Sequence, residues 1–95
     1  MNRDERKKIQ TQYMDKMVEY LPTLRSAAKI TQNQLAKKLG VARSTMVAIE
    51  SQRRPLQWHM YLAMVLVFMQ GEDSKKLLDS FELFDGEFLK ILEGN

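Results

Sequence analysis

Arg43, Arg53 and Arg54 are the side chains of this 95-residue chain best placed to act on another molecule. A guanidinium is a planar fork of N–H donors that stays charged at any physiological pH, so it grips an anion and does not exchange protons. Their neighbourhood has the same sign. From Arg25 to Arg54 seven basic residues (Arg25, Lys29, Lys37, Lys38, Arg43, Arg53 and Arg54) stand against a single acid, Glu50, a net +6 inside a chain whose total is only +3. From Gln70 onward the balance reverses. There Glu72, Asp73, Asp79, Glu82, Asp85, Glu87 and Glu93 oppose Lys75, Lys76 and Lys90, a net −4. A polyanion is drawn to the middle of such a chain and repelled by its last quarter.

The parts for bond-making chemistry are missing. His59 is the only histidine and there is no cysteine, so neither an imidazole pair nor a thiolate set can hold a metal. His59 reads as a packing or surface residue. The acids of the last quarter fall at solvated helical positions and not as a pair in an apolar setting, so acid–base catalysis is not expected. The chain is read as a non-enzyme with no catalytic residues, no cofactor and no metal. Absence of cysteine also excludes disulfides and is compatible with a reducing cytoplasm. The longest apolar run, Met60 to Met69, falls far short of the roughly 20 residues that span a bilayer. The opening MNRDERKKIQTQ has neither the apolar core nor the cleavage site of a secretory signal. A cytoplasmic location with no membrane partner is expected.

The basic residues need elements to hold them, and the stretch from Thr31 to Pro55 supplies them as helix, tight turn, helix, basic loop. Thr31 can cap a helix with its hydroxyl while Gln34 reaches back to the amide of Thr31, a capping box. Leu35 and Leu39 share one face. Gly40 follows where the chain leaves the helix and needs a positive φ. A second helix can start two residues later, with Met46 and Ile49 on its buried side and Arg43, Ser44, Val47 and Ala48 on its outer side. Ala36 faces the crossing point, where a small side chain lets two short helices approach steeply. This is the pattern of a helix-turn-helix that binds DNA.

The segment from about Leu21 to Leu66 resembles the helix-turn-helix of the Cro and phage-repressor type, the Xre family. Gln32, Leu35, Ala36, Leu39, Gly40, Val41, Met46, Ile49 and Glu50 fall at that family's spacing without insertion. The resemblance implies that Arg25 pairs with Glu50, tying the first helix to the end of the recognition helix. It further implies base readout by Arg43, Ser44, Val47 and Ala48, with Arg43 gripping guanine and Ala48 and Val47 offering methyl groups to thymine. Gln32, Thr45, Ser51, Gln52, Arg53 and Arg54 are the expected phosphate contacts, Gln32 with the help of the helix-end dipole. Three departures from the family pattern carry expectations. Ala42 stands where serine often caps the recognition helix, so that bond is absent or comes from Ser44 or Thr45. Ser51 and Gln52 replace Asn-Gly, and a glutamine at positive φ costs about 1 kcal/mol, so the loop to Pro55 is expected to take another shape. Lys29 replaces a frequent glycine, which predicts a looser turn.

Along the rest of the chain there are no repeats and no low-complexity linker, only four glycines and two prolines. One domain, 1–95, is expected: an extra N-terminal helix at 1–20, a helix-turn-helix core at 21–70 and an acidic, aromatic helical extension at 71–95. Ile9, Tyr13, Met17 and Tyr20 recur at helical spacing between Asp4 and Tyr20. Pro22 then either opens the next helix, to about Ala28, or kinks one long helix. Leu56 to Gln70 reads as the fourth core helix, ended by Gly71. Asp73 or Ser74 can cap a further helix and Asp85 a last one. The fold class is all-α, a lambda-repressor-like helix-turn-helix domain of four to five core helices with extra helices at both ends.

The expected function is sequence-specific binding of double-stranded DNA by a transcriptional repressor acting as a homodimer, because two recognition helices double the readout of one small module. The alternative is an antitoxin or interaction module whose last helices bind a partner protein. Leu77, Leu78, Phe81, Leu83, Phe84, Phe88, Leu89, Ile91 and Leu92 are more apolar side chains than a short extension needs for itself. Either they help to close the core, or they pair two subunits, or they bind another protein. Because the helix from Leu56 to Gln70 should already close the core, they are expected to hold the dimer, an interface that the helix with Ile9, Tyr13 and Met17 could share.

Overall fold

The computed structural model describes residues 1–94 as six helices, α1 Arg3–Ala28, α2 Gln32–Leu39, α3 Arg43–Glu50, α4 Trp58–Phe68, α5 Glu72–Ser80 and α6 Gly86–Glu93, with no strand among the described residues. The all-α class expected from the sequence is the observed one.

Residues 1–20 do not form a helix of their own: α1 runs without a break for 26 residues, about 39 Å. The Asn2 side chain opens it by accepting from the amide of Glu5 at 2.8 Å. Asp4 and Glu5 in the first turn and Arg25 in the last suit the helix dipole. Pro22 lies inside it, exposed. A proline in a helix interior costs about 3 kcal/mol. Tyr13, Met17, Leu21 and Leu24 are all buried along one stripe, each worth about 1.5–3 kcal/mol, so their packing outweighs that cost and the long helix wins.

Lys29, expected to loosen the next turn, instead takes the left-handed conformation at φ 59°. Its amide donates to the Ser26 carbonyl at 3.1 Å and that of Ile30 to the Arg25 carbonyl at 3.0 Å, the crossed pair of a tight helix end. Thr31 and Gln34 complete their capping box at 3.0 and 2.8 Å. Gly40, at φ 75°, ends α2 with a second crossed pair, from Gly40 to Lys37 and from Val41 to Ala36.

The core gathers Met17, Leu21 and Leu24 of α1, Leu35 and Ala36 of α2, Met46 and Ile49 of α3, and Tyr61, Met64 and Phe68 of α4. α4 is shorter than expected because Leu56 is buried as part of the loop that precedes it. Neither Asp73 nor Ser74 caps α5, which follows directly on Gly71. Ser74 is fully buried and donates its hydroxyl to the Phe68 carbonyl at 2.6 Å, closing the end of α4. A Cβ on Gly71 would stand 2.8 Å from that hydroxyl oxygen, so only glycine fits there without a shift.

The largest correction concerns the last quarter. α4 does not close the core by itself. Leu78, Leu83, Phe88 and Ile91 are buried in the same core, and Phe81 stacks on Tyr20 with ring centroids 3.9 Å apart. Tyr61 donates its hydroxyl to the Leu83 carbonyl, Tyr13 donates to Asp85, and Lys16 donates to the Glu82 carbonyl at 2.8 Å. Asp85 also caps α6, accepting from the amide of Phe88 at 2.9 Å. The reason is the extra length of α1, which packs on α5 as well as on α4 and carries Tyr13 to within 5.9 Å, ring to ring, of Phe88 in α6. Burial pushes the hydroxyls of Tyr13 and Tyr61 well above the ordinary tyrosine range, and the neighbouring Asp85 adds to this in both. Of the tail residues thought free to hold a dimer, Leu89 and Leu92 alone remain as exposed large apolar side chains.

Candidate nucleic-acid interface

The residues of α3 divide by face. Met46 and Ile49 are buried against α2, whose Leu35 and Ala36 have no exposed surface, and Arg43 and Ser44 are exposed at the N-terminal end. Thr45, Val47 and Ala48 are half-buried at the flanks. The side chains expected to read bases thus lie on or beside the outer face of a helix eight residues long. No side chain caps it: Ala42 offers only its carbonyl, which accepts from the amides of Thr45 and Met46 at 3.1 and 3.3 Å. Neither Ser44 nor Thr45 supplies the missing bond, so α3 is held by packing from below and by what happens at its far end.

At that end Glu50 joins three helices. Its Oε1 accepts from Arg25 Nη2 at 2.8 Å and from Arg25 Nε at 3.2 Å, and its Oε2 accepts from Gln32 Nε2 at 2.8 Å. Arg25 also donates to the Ile30 carbonyl at 3.3 Å. The side chains of Arg25 and Glu50 are 18% and 6% exposed, which makes this an enclosed pair and not a surface one. Charges taken this far from water gain little net stability from each other, but each leaves the other stranded if removed. The consequence is geometric: the end of α1, the start of α2 and the end of α3 are fixed relative to one another.

Two of the expected phosphate contacts are drawn into this support. Gln32 donates one N–H of its side-chain amide to Glu50 and keeps the second, beside the first-turn amides of α2 at the positive end of the dipole. Ser51 donates its hydroxyl to the Ala48 carbonyl at 3.2 Å and accepts from Arg53 Nε at 3.0 Å. It positions Arg53. Gln52 sits at φ 64°, so the loop does keep the tight shape that its sequence argued against. Bonds from the amides of Gln52 to Ile49 at 3.0 Å and Arg53 to Ala48 at 2.9 Å close the turn and offset the strain. Arg54 lines a groove against α1, formed with Asp15, Val18, Pro55 and Leu56 among others.

Asn33, which the sequence reading passed over, lines an open cleft with Arg25, Thr31, Gln32 and Arg43. Its place at the second position of α2 was the signal available for it. Among the described residues the ion pairs are Arg25–Glu50 and Lys76–Glu72, so Lys37, Lys38, Arg43, Arg53 and Arg54 have no acidic partner. The surface around α3 therefore presents an uncompensated positive charge to an approaching polyanion. No group of three or more potential metal-binding side chains occurs among the described residues, and no described helix is long and apolar enough to cross a membrane.

Compared with known proteins, residues 17–74 match the family described as a helix-turn-helix domain, from the middle of α1 into the first turn of α5. No curated protein and no solved structure matches the chain.

Proposed function

The chain belongs to the helix-turn-helix domain family, and from that premise we propose that it is a sequence-specific, double-stranded DNA-binding repressor of the Cro and phage-repressor type, acting as a homodimer in the cytoplasm. The observation that carries the proposal is the pairing of a free positive face with a rigid mount. Arg43 and Ser44 are exposed at the start of α3, while Arg25, Gln32 and Glu50 lock that helix in place. A major groove about 12 Å wide accepts one such helix, and a bidentate arginine there discriminates guanine by about 1–3 kcal/mol. Val47 and Ala48 supply small apolar contacts on the same helix. Thr45, Arg53 and the first amides of α2 hold phosphate and set the register without reading sequence. The role is binding and not catalysis.

The alternative, an antitoxin-like module that binds a partner through its last helices, loses most of its support once Leu78, Leu83, Phe88 and Ile91 are seen inside the core. Selection of bound sites from a random pool of duplexes, followed by titration of the selected site over a range of salt concentrations, tests the proposal. The expected result is one enriched two-fold symmetric sequence and an affinity that falls steeply with salt. Binding that is salt-independent or absent sinks it.

A further inference from the structure

We infer that the outer face of α4 is the surface on which two copies of this chain meet. The inference rests on the homodimer part of the functional reading. His59, Leu62, Ala63 and Leu66 share one side of α4, and Met69 continues it just past the helix end. Leu66, at its centre, is 63% exposed, more than any other large apolar side chain described. Met60, Tyr61, Met64, Val65 and Phe68 occupy the opposite side and are buried as α4 packs on α1, α2 and α5. A helix that is apolar all round is ordinarily covered all round. This one is not: on its outer side His59 and Leu66 are exposed, with Leu62, Ala63 and Met69 half-buried around them.

Charge decides what the occupant is. No Asp, Glu, Lys or Arg falls anywhere in α4, although 28% of the chain is charged. Nucleic acid gains nothing from a surface without cations, and a strongly charged protein partner finds no opposite charge to read. The chain's own last helices are already committed to the core. A second copy fits because a two-fold contact sets each patch against itself, and a patch without charge then brings no like charges together. The other exposed apolar pair, Leu89 and Leu92 on α6, lies among Glu87, Lys90 and Glu93, where self-pairing sets like charges close to one another. Pairing through α4 also uses none of the residues assigned to DNA. An eleven-residue helix is only about 16 Å long, so the contact falls at the small, transient end of interfaces and the free dimer is expected to be weak.

Sedimentation equilibrium of the full chain from micromolar to millimolar concentration, on the wild type, Leu66→Lys, Leu66→Gln and Leu89→Lys, tests this. The wild type and Leu89→Lys are expected to pass from monomer to dimer. Leu66→Lys should remain monomeric, with its dissociation constant raised at least tenfold, and Leu66→Gln should fall between, while helical circular dichroism and the thermal midpoint stay those of the wild type. If both Leu66 variants dimerise like the wild type, the face is wrong and the dimer reading survives; if Leu89→Lys alone dissociates, the contact belongs to α6. A wild type that is monomeric throughout overturns the face and the free dimer together. Salt-dependent affinity of the same samples for a labelled random-sequence duplex reports on DNA binding independently of either.

Discussion

Between them α2 and α3 bury four side chains, Leu35, Ala36, Met46 and Ile49, and keep their shape largely by bonds between residues close in sequence: the Thr31–Gln34 box, the crossed pair at Gly40 and the turn at Gln52. The last quarter is built the other way. Its buried side chains, Leu78, Leu83, Phe88 and Ile91, meet partners up to seventy-odd positions away, and its polar anchors run from Tyr13 to Asp85, Lys16 to Glu82 and Tyr61 to Leu83. Apart from Glu50, the first region keeps its charged side chains outside and free of acidic partners, whereas the second turns most of its apolar side chains inward. One is organised to be touched and the other to hold. Damage to the first should therefore appear in binding, and damage to the second in stability.

The sharpest way to break that contrast is Phe88→Ala. Phe88 is fully buried among Tyr13, Trp58, Tyr61 and Phe84, so its loss should cost about 3–5 kcal/mol in urea unfolding while leaving DNA affinity unchanged in conditions where the variant is folded. A loss under about 1 kcal/mol would mean that α6 is a detachable appendage.

Glu50→Gln probes the one place where the binding region contains an enclosed charge. It should cost about 1–3 kcal/mol because the Arg25 guanidinium is left poorly paired at 18% exposure, and the double variant Arg25→Met, Glu50→Leu should recover much of the loss. Equal stability of wild type and single variant would reduce the pair to a surface contact.

For binding, Arg43→Ala should lose about 1–3 kcal/mol of discrimination at one symmetric base position, while Arg53→Ala weakens binding to every sequence alike and lowers the salt slope by about 1. Neither should move the unfolding midpoint appreciably. Equal losses on matched and mismatched duplexes for Arg43→Ala would reassign it to phosphate.

The two tyrosine anchors give the holding region a pH signature. Tyr61 stays protonated in the fold to a higher pH than in the unfolded chain, so above about pH 10 the unfolded state releases its proton first and the native state binds more protons. Stability should be undiminished below that pH and fall above it by about 1.4 kcal/mol per pH unit for Tyr61, a slope that Tyr61→Phe removes. Urea titrations from pH 8 to 11 measure it, and an unchanged slope in the variant would point to another group.

The smallest effect belongs to the loop. Gln52 holds φ 64°, so Gln52→Gly should stabilise the chain by about 0.5–1 kcal/mol as relief of strain exceeds the added freedom of the unfolded state. Destabilisation would show that the glutamine side chain makes a contact worth more than the strain.

The same contrast explains what was legible in advance. Thr31 with Gln34, Gly40, and the outward set of Arg43 and Ser44 all depend on spacings of three or four residues, which a sequence displays directly. Two nearby features were misjudged because a single residue type argued against a conformation that neighbours stabilise, Lys29 and Gln52 at positive φ, and the choice left open at Pro22 was settled by the burial of residues on both sides of it. The helix-end position of Gln32 is visible in the sequence, whereas its bond to Glu50, eighteen positions away, is a tertiary contact that no local spacing displays.

What the sequence determined by itself was the helical class, the helix-turn-helix and the placing of positive charge around it, since caps, turns and charge blocks are properties of short stretches. Only the tertiary structure decided that residues 3–28 are one helix and that the acidic tail completes the core instead of standing apart. Those outcomes depend on which apolar surfaces find each other across the whole chain, and burial, being non-directional, leaves no mark in the sequence of the partner it selects.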